Sequence, residues 1–223
     1  MKKYFFVFLA TMIIILGGCK QKGGNMDPDA PQKEVMNDVK AKTYIVQFKT
    51  EVRYKDLENV STSTQWIDMV NDRMAIETES ESNLMGKSMK SHDLTIIVND
   101  EAWLINLEQK TGYKAGKSSI LNENQSEIIR AEDDATFRQK IEESGGKIVG
   151  EEAVLGKNCL VIELPDPSGK SAMKTRLWYY NGVPLKMKND FYDMEAVDIQ
   201  ENVKIPEDIF KVPAGIKMQD FPG

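Results

Sequence analysis

Apolar and polar residues alternate along most of this chain, and the alternation predicts strands. From Thr43 to Tyr54 only Ile45 breaks the pattern, which has the period of a strand with one buried and one solvated face. Asn181-Gly182 is the strongest hairpin signal, because both residues tolerate positive φ. Further strands are predicted where apolar runs flank short turns, at residues 64–70, 73–78, 93–98, 102–107, 147–153, 158–164, 174–180, 183–188 and 193–203.

Helical signals are confined to a few segments. Asp133 and Asp134 place negative charge at a helix start, and Gly145-Gly146 marks its end. Phe137 and Ile141 lie four residues apart, on one face. Weaker helical patterns cover residues 121–130 and 32–40, and residues 205–210 predict a short helical turn. The predicted fold class is β-rich α+β, an antiparallel sheet whose apolar face is covered by helices.

The N-terminus has the pattern of a secretory signal. Lys2 and Lys3 precede an apolar run from Tyr4 to Leu16, and Leu16-Gly17-Gly18-Cys19 follows. The apolar run is shorter than the roughly twenty residues that cross a bilayer as a helix. Its end resembles the lipobox of bacterial lipoproteins. This resemblance implies that Cys19 becomes the first mature residue and carries diacylglycerol, with a further acyl chain such as palmitate. An ordinary signal peptide or an uncleaved anchor is the alternative.

Three segments of different composition divide the chain. Residues 1–18 form the predicted signal peptide, residues 19–31 a flexible tether rich in Gly and Pro, and residues 32–223 a single domain. The formal net charge is −6 and becomes more negative when Lys2 and Lys3 leave with the signal. A negative chain is a poor partner for nucleic acid or for anionic lipid surfaces. Membrane affinity is therefore expected to come from the acyl anchor.

The residues that usually carry catalysis are scarce. With Cys19 acylated, Cys159 has no partner in the chain; it lies in a strand-like run and is expected to be a small buried residue, the alternative being a reactive or intermolecular thiol. His92, the single histidine, is expected at the surface. The sequence contains no nucleophile elbow, zinc-protease pair, phosphate loop or dinucleotide fingerprint. We therefore expect no enzymatic activity, cofactor or metal site.

The last eighty residues or so carry motifs of a known family. These motifs resemble the C-terminal halves of periplasmic proteins related to the outer-membrane lipoprotein carrier (LolA-like), and especially of small uncharacterised lipoproteins of that kind. The resemblance implies an unclosed, curved antiparallel sheet, a half-barrel, with helices covering its concave face. In the carrier, the cavity between sheet and helices receives acyl chains. The motifs are Gly156-Lys157-Asn158-Cys159, Leu177-Trp178, Gly182-Val183-Pro184-Leu185-Lys186 and Phe210-Lys211-Val212-Pro213-Ala214-Gly215.

Two functions follow from this resemblance. The first is an anchored module that binds acyl chains or another hydrophobic ligand in the concave face and assists in lipid or lipoprotein handling. The second is a membrane-tethered interaction or envelope-sensing scaffold with a closed core, no ligand and a protein partner. Lys20 after the lipidated Cys favours the outer membrane, facing the periplasm, although a Gram-positive host would change this. The candidate ligand-lining residues are Tyr44, Val46, Phe48, Val52, Trp66, Trp103, Trp178 or Leu177 on strands, and Phe137 and Ile141 on the helix.

Overall fold

The strands of this chain form one continuous sheet. A computed structural model describes residues 42–116, 134–165 and 174–219. The predicted helices at residues 32–40 and 121–130 lie outside these ranges. The strands are β1 Thr43–Tyr54, β2 Leu57–Asp68, β3 Arg73–Leu84, β4 Lys87–Val98, β5 Glu101–Asn106, β6 Thr111–Gly116, β7 Lys147–Val154, β8 Lys157–Pro165, β9 Lys174–Tyr180, β10 Val183–Lys188, β11 Tyr192–Glu201 and β12 Lys217–Gln219; helix α1 spans Asp134–Glu143, and Glu207–Phe210 forms a 3-10 helix.

The sheet is unclosed and curved, with strand order β12-β6-β5-β4-β3-β2-β1-β11-β10-β9-β8-β7. It consists of two runs of consecutive hairpins, β1 to β6 and β7 to β11. The two runs are joined where β1 pairs with β11. All neighbours are antiparallel except β12, which lies parallel to β6. The predicted open, curved antiparallel sheet is therefore confirmed.

Short turns connect the strands, as the sequence predicts for several of them. At the β9–β10 turn, Asn181 has φ of 45° and Gly182 of 93°, the left-handed conformations that this dipeptide tolerates. The β3–β4 turn was not predicted from the sequence; it contains Met85 and Gly86, with φ of 51° and 77°. Between β1 and β5, tight hairpins of this kind connect strands that pair without a register shift.

Three strands are much longer than predicted. The sequence predicts strands at residues 64–70, 73–78 and 93–98, whereas β2 begins at Leu57, β3 continues to Leu84 and β4 begins at Lys87. The additional stretches of β2 and β3, Leu57–Ser63 and Glu79–Leu84, consist mostly of small polar and acidic residues. Each forms a complete ladder with the long strand beside it. Backbone pairing with a neighbouring strand therefore decides their conformation, despite a weak intrinsic strand preference.

Cross-strand register defines two faces of the β1–β5 region. Residues directly opposite each other on antiparallel strands point to the same side, and consecutive residues point to opposite sides. One face, here called the Tyr44 face, carries the row Tyr44, Ile67, Met74, Ile97 and Ala102. The opposite face, here called the Trp66 face, carries the row Ile45, Trp66, Ala75, Ile96 and Trp103.

A C-terminal strap, residues 202–216, covers part of the Trp66 face. Its backbone starts beside β1, where Asn202 N donates to Thr43 O at 2.8 Å. Ile205 and Phe210 then pack with Ala75 and Trp66. Val212 and Ile216 pack with Ile96 and its neighbours before the chain enters β12. The strap thus supplies an apolar cover for this face.

The one α-helix of the described ranges packs elsewhere. Phe137 and Ile141 of α1 are 3% and 1% exposed and pack with Leu160, Ile162 and Tyr179 of β8 and β9. The ring of Phe137 stacks on that of Tyr179 at a centroid distance of 4.4 Å. Helix α1 therefore covers the β8–β9 end of the sheet, and the predicted covering of the β1 face by helices is not confirmed.

Candidate functional site

The central cluster of the molecule forms on β1 and the strands beside it. Tyr44, Val46 and Phe48 are at most 1% exposed, because alternate residues of a strand share a face and β1 lies at the middle of the sheet order. Buried residues of β7 to β11 pack against these three side chains, and the whole group is here called the Tyr44 cluster. The residues from β7 to β11 are Val154, Cys159, Val161, Trp178, Val183, Leu185, Tyr192, Met194 and Ala196.

The polar ends of this cluster are satisfied within the protein. Tyr44 Oη donates to Asn181 O at 3.1 Å. Burial, with the nearby carboxylate of Glu201 as a second cause, raises the pKa of Tyr44. Glu201 accepts a hydrogen bond from Tyr180 at 3.0 Å and forms an ion pair with Lys157. The phenol of Tyr44 therefore stays protonated at neutral pH and fastens β1 to the β9–β10 turn.

Trp178 is anchored in the same way at the β9 side. It is 6% exposed, and its Nε1 donates to Glu152 Oε2 at 2.7 Å. Lys186 Nζ lies 5.4 Å from the ring centroid, within the range of a cation–π contact. The indole therefore bridges the Tyr44 cluster and a charged surface on β7 and β10.

The predicted ligand-lining residues do not meet in one place. Tyr44, Val46, Phe48 and Trp178 belong to the Tyr44 cluster, with Val52 partly buried against it. Phe137, Ile141 and Leu177 belong to the cluster under α1. Trp66 and Trp103 belong to two further clusters on the Trp66 face, beneath the C-terminal strap. The structure therefore distributes the nine predicted positions and Leu177 over both faces and both ends of the sheet.

An apolar row crosses the Tyr44 face. Ile97 and Ala102 are at most 2% exposed and pack with Met74, Leu104 and Ala115. In register they continue the line that starts at Tyr44. With strands about 4.8 Å apart, the row is about 19 Å wide from β1 to β5.

A belt of hydroxyl and amide side chains, which the sequence pattern did not predict, borders that row. Ser61, Ser63, Asn59 and Ser82 on β2 and β3 all point to the Tyr44 face and are at most 8% exposed. Asn59 Nδ2 donates to Ser82 Oγ at 2.7 Å. The sequence feature that could have indicated this belt is the recurrence of Ser and Thr at alternate positions within residues 57–64 and 78–82.

One member of this belt lacks a partner. Ser63 is 5% exposed, and its Oγ is the one buried side-chain oxygen or nitrogen in the described part of the chain without a hydrogen bond. Ser63 lies opposite Phe48 on one side and Thr78 on the other. A buried hydroxyl without a partner destabilises the fold. Ser63 therefore lies at the border between the Tyr44 cluster and the polar belt, and its hydroxyl is not bonded to any other described residue.

The two residues considered for chemistry are placed as the sequence suggests. Cys159 is fully buried, and burial raises the pKa of its thiol to about 11, so the thiolate nucleophile is scarce at neutral pH. His92 Nε2 lies 2.7 Å from Glu77 Oε1 on a partly exposed strand face. Among the described residues, no three His, Cys, Asp or Glu side chains gather in a metal-binding group.

Comparisons with known proteins identify the fold. No family model matches this chain, and no curated protein matches it. An uncharacterised conserved protein from Thermus thermophilus is similar in structure, with a TM-score of 0.50 and 10% identity, covering 81% of this chain and 91% of that one. LprF from Mycobacterium bovis gives a TM-score of 0.33 and 12% identity, covering 75% of this chain and 90% of that one.

These comparisons concern architecture and not activity. At 10% identity, the likeness to the Thermus protein shows the fold alone. None of the helices in the described ranges is long and apolar enough to span a bilayer. What is shown is a chain that folds as one open, curved, mainly antiparallel sheet, similar to a solved bacterial protein over most of the length of both.

Proposed function

We propose that this protein is an envelope lipoprotein, anchored through Cys19, that binds acyl chains or another hydrophobic ligand on the Tyr44 face. The observation that carries the proposal is the apolar row from Tyr44 across Ile67, Met74 and Ile97 to Ala102. Ile67 and Met74 are the partly exposed members of this row, and burial of acyl methylenes against them contributes about 25 cal/mol per Å² removed from water. The sheet is open and α1 packs on β8 and β9, so no described helix occupies this row.

The polar belt beside the row supports an amphiphilic ligand. Ser63 offers, at the border, a hydroxyl to which no other described residue is hydrogen-bonded, and this suits an ester, amide or hydroxyl group next to an acyl chain. The proposal includes no catalytic step. The sequence resemblance to LolA-like proteins, with lipid or lipoprotein handling in the outer membrane, is part of the same proposal.

Two measurements test the proposal. The mature protein, purified from envelopes, is expected to release lipid in native mass spectrometry and to bind a fluorescent fatty-acid probe that lipid displaces. Ile67→Asn, which places an amide in the apolar row, is expected to weaken binding of the probe. The dissociation constant is expected to rise about tenfold, the equivalent of roughly 1.4 kcal/mol. Thr62→Asn on the opposite face of β2 is the matched control. A folded sample that holds no lipid and no probe contradicts ligand binding.

Lipidation has its own test. Radiolabelled palmitate is expected to enter the wild-type chain and not Cys19→Ser. Incorporation that persists in the variant, or never occurs in either chain, contradicts the anchor. This experiment is independent of whether the folded domain binds a ligand.

A tethered scaffold without a ligand is the second candidate. Tyr44 and Val46 are 0% exposed, as in a closed core, and this favours a body that acts through its outer surface. In that case, cross-linking in cells is expected to capture one stable protein partner, and native mass spectrometry to find no lipid. Capture of a partner together with bound lipid favours ligand binding instead.

A further inference from the structure

Three loops meet at one end of the sheet. Tyr54 ends β1, Met85 lies in the β3–β4 turn and Phe191 precedes β11. Arg53 N donates to Phe191 O at 2.8 Å, and Met85 N to Asp56 O at 3.3 Å. The rings of Tyr54 and Phe191 pack edge to face at 5.0 Å. These contacts join the loops into one continuous surface.

The surface is apolar and exposed. Met85 is 78% exposed, Tyr54 and Met89 are each 46%, Phe191 is 42% and Leu84 is 36%. These five residues are here called the tip surface. Single exposed apolar residues are ordinary on proteins, but a group of them gathered at neighbouring strand ends marks an interaction site. Leu84 and Tyr54 lie in one row with Leu57 on the Tyr44 face, so the tip surface borders the proposed ligand face.

The composition of the tip surface suits a bilayer interface. Aromatic side chains with a polar end are favoured at the headgroup level, and Lys side chains extend from there towards water. Tyr54 has such a partner, because Lys55 Nζ lies 5.1 Å from its ring centroid. Met adds flexible apolar volume.

We propose that the tip surface inserts into the headgroup region of the membrane that holds the anchor. The inference rests on the proposed anchor at Cys19. Cys19 and Lys42 are 23 positions apart, so the chain between them spans at most about 80 Å. Strand β1 runs about 40 Å from Thr43 to Tyr54. The chain therefore reaches far enough for the tips to contact the bilayer that anchors it.

Charge around the tips is balanced. The segments that carry the tip surface contain two cations, Lys55 and Lys87, and two carboxylates, Asp56 and Asp190. Insertion therefore depends on apolar contact and not on attraction to anionic headgroups. It is expected on zwitterionic phosphatidylcholine vesicles and is expected to be insensitive to salt.

Spin labelling of the full acylated chain in such vesicles tests the proposal. Met85→Cys adds one reactive thiol, because Cys159 is buried and Cys19 is blocked by its lipid. Collision with oxygen, which concentrates in the bilayer, is compared with collision with a water-soluble nickel chelate. A label at position 85 is expected to favour oxygen. A label introduced by Leu155→Cys, at a turn residue that is 45% exposed, is expected to favour nickel.

A second variant shows whether the aromatic pair is responsible. In the double variant Tyr54→Ser with Phe191→Ser, the spin label at position 85 is expected to collide more often with the nickel chelate than with oxygen. Flotation is expected to show that this variant still binds vesicles. Phe191→Trp is expected to preserve the oxygen preference. A nickel-favoured label at position 85 in the wild-type background, or no change in the double variant, overturns the inference. Failure of the anchor is separately visible as a chain that does not float and labels at Cys19.

Discussion

Two buried serines on the Tyr44 face differ in one respect. Ser82 accepts a hydrogen bond from Asn59, whereas Ser63 Oγ has no partner among the described residues. Ser63→Ala is therefore expected to raise the free energy of unfolding by about 1 kcal/mol, because it removes an unpaired buried hydroxyl. Ser82→Ala, the matched control, is expected to lower it by about 1 kcal/mol by leaving the amide of Asn59 unpaired. Urea denaturation of the ligand-free protein measures both values.

The stability of the Ser63→Ala variant also bears on ligand binding. Locally unfavourable residues in natural proteins are expected at functional or strained sites. If the hydroxyl of Ser63 contacts the ligand, Ser63→Ala gains stability and loses affinity for the lipid probe. A loss of stability in Ser63→Ala shows instead that the hydroxyl is already bonded in solution.

Prediction from sequence worked best for residues with a strong periodic pattern. The alternation in β1 predicts that Tyr44, Val46 and Phe48 share one buried face, and they do. It could not show that Trp66 lies on the opposite face, because that depends on the β1–β2 register, which places Trp66 beside Ile45. Nor could it show that Ser63 lacks a partner, since this depends on the strands on both sides.

At the scale of elements, Arg73 connects the strap to the sheet. Its Nε donates to Asp68 Oδ2 at 2.8 Å, two other nitrogens donate to both oxygens of Glu207, and Cζ lies 4.3 Å from the ring centroid of Phe210. Arg73→Met is expected to lower the free energy of unfolding by roughly 3 kcal/mol at pH 7, because it leaves the buried carboxylate of Asp68 without its cation. Urea denaturation measures the loss.

The control for Arg73 is an exposed pair. Lys90 and Glu81 are 3.9 Å apart, with side chains 71% and 63% exposed, so Lys90→Met is expected to change stability by about 0.5 kcal/mol or less. Equal effects of the two substitutions would mean that Arg73 does not hold the strap. Partial unfolding confined to residues 202–219, seen by proteolysis, would place the loss in the strap alone.

The Arg73 contacts also predict a pH dependence. Burial alone would raise the pKa of Asp68, but hydrogen bonds from Asn71 and Arg73 outweigh it and hold the pKa below its usual value. The stability from this pairing is therefore complete above about pH 4, the ordinary range of carboxyl groups, and is lost as pH falls through the lowered pKa. The difference between wild type and Arg73→Met is expected to narrow below pH 4. A difference that widens in acid contradicts this account.

Helices, strands and turns were predictable where the local sequence preference agrees with the conformation in the folded sheet. They were not predictable where pairing with other strands decides the conformation. Helix α1 ends at Glu143, just before the predicted Gly145-Gly146 stop, and Asn181-Gly182 forms its turn because its conformational preference is local. Strand β6, with sequence TGYKAG, has no period of its own and forms because β5 and β12 pair with it. The strap could not be foreseen as a cover, because its few apolar residues gain their positions only after the sheet has formed.

At the scale of the whole molecule, long ladders make the middle of the sheet its firmest part. β1 forms one continuous ladder with β2 and another with β11, broken by a single bulge. By contrast, β7 lies at the edge and is mostly exposed, and β12 is three residues long. Opening of a central strand breaks two ladders, while an edge strand can detach alone. The structure therefore sets an order of protection against hydrogen exchange.

Amide exchange of the anchored protein on vesicles is expected to be slowest in β1 and fastest in β7 and β12. No other described strand pairs with the outer edge of β7, and such an edge is an open template for another strand. Protection of residues 147–154 comparable to that of β1 would therefore mean that a partner strand covers this edge. That outcome would favour the scaffold function. Fast exchange at β7 combined with new protection at residues 54–57 and 84–87 on addition of vesicles would instead agree with an open edge and membrane-seated tips. One experiment measures amide exchange at both the edge strand and the tips. It therefore distinguishes a protein that acts through a protein partner from one that acts at the lipid surface.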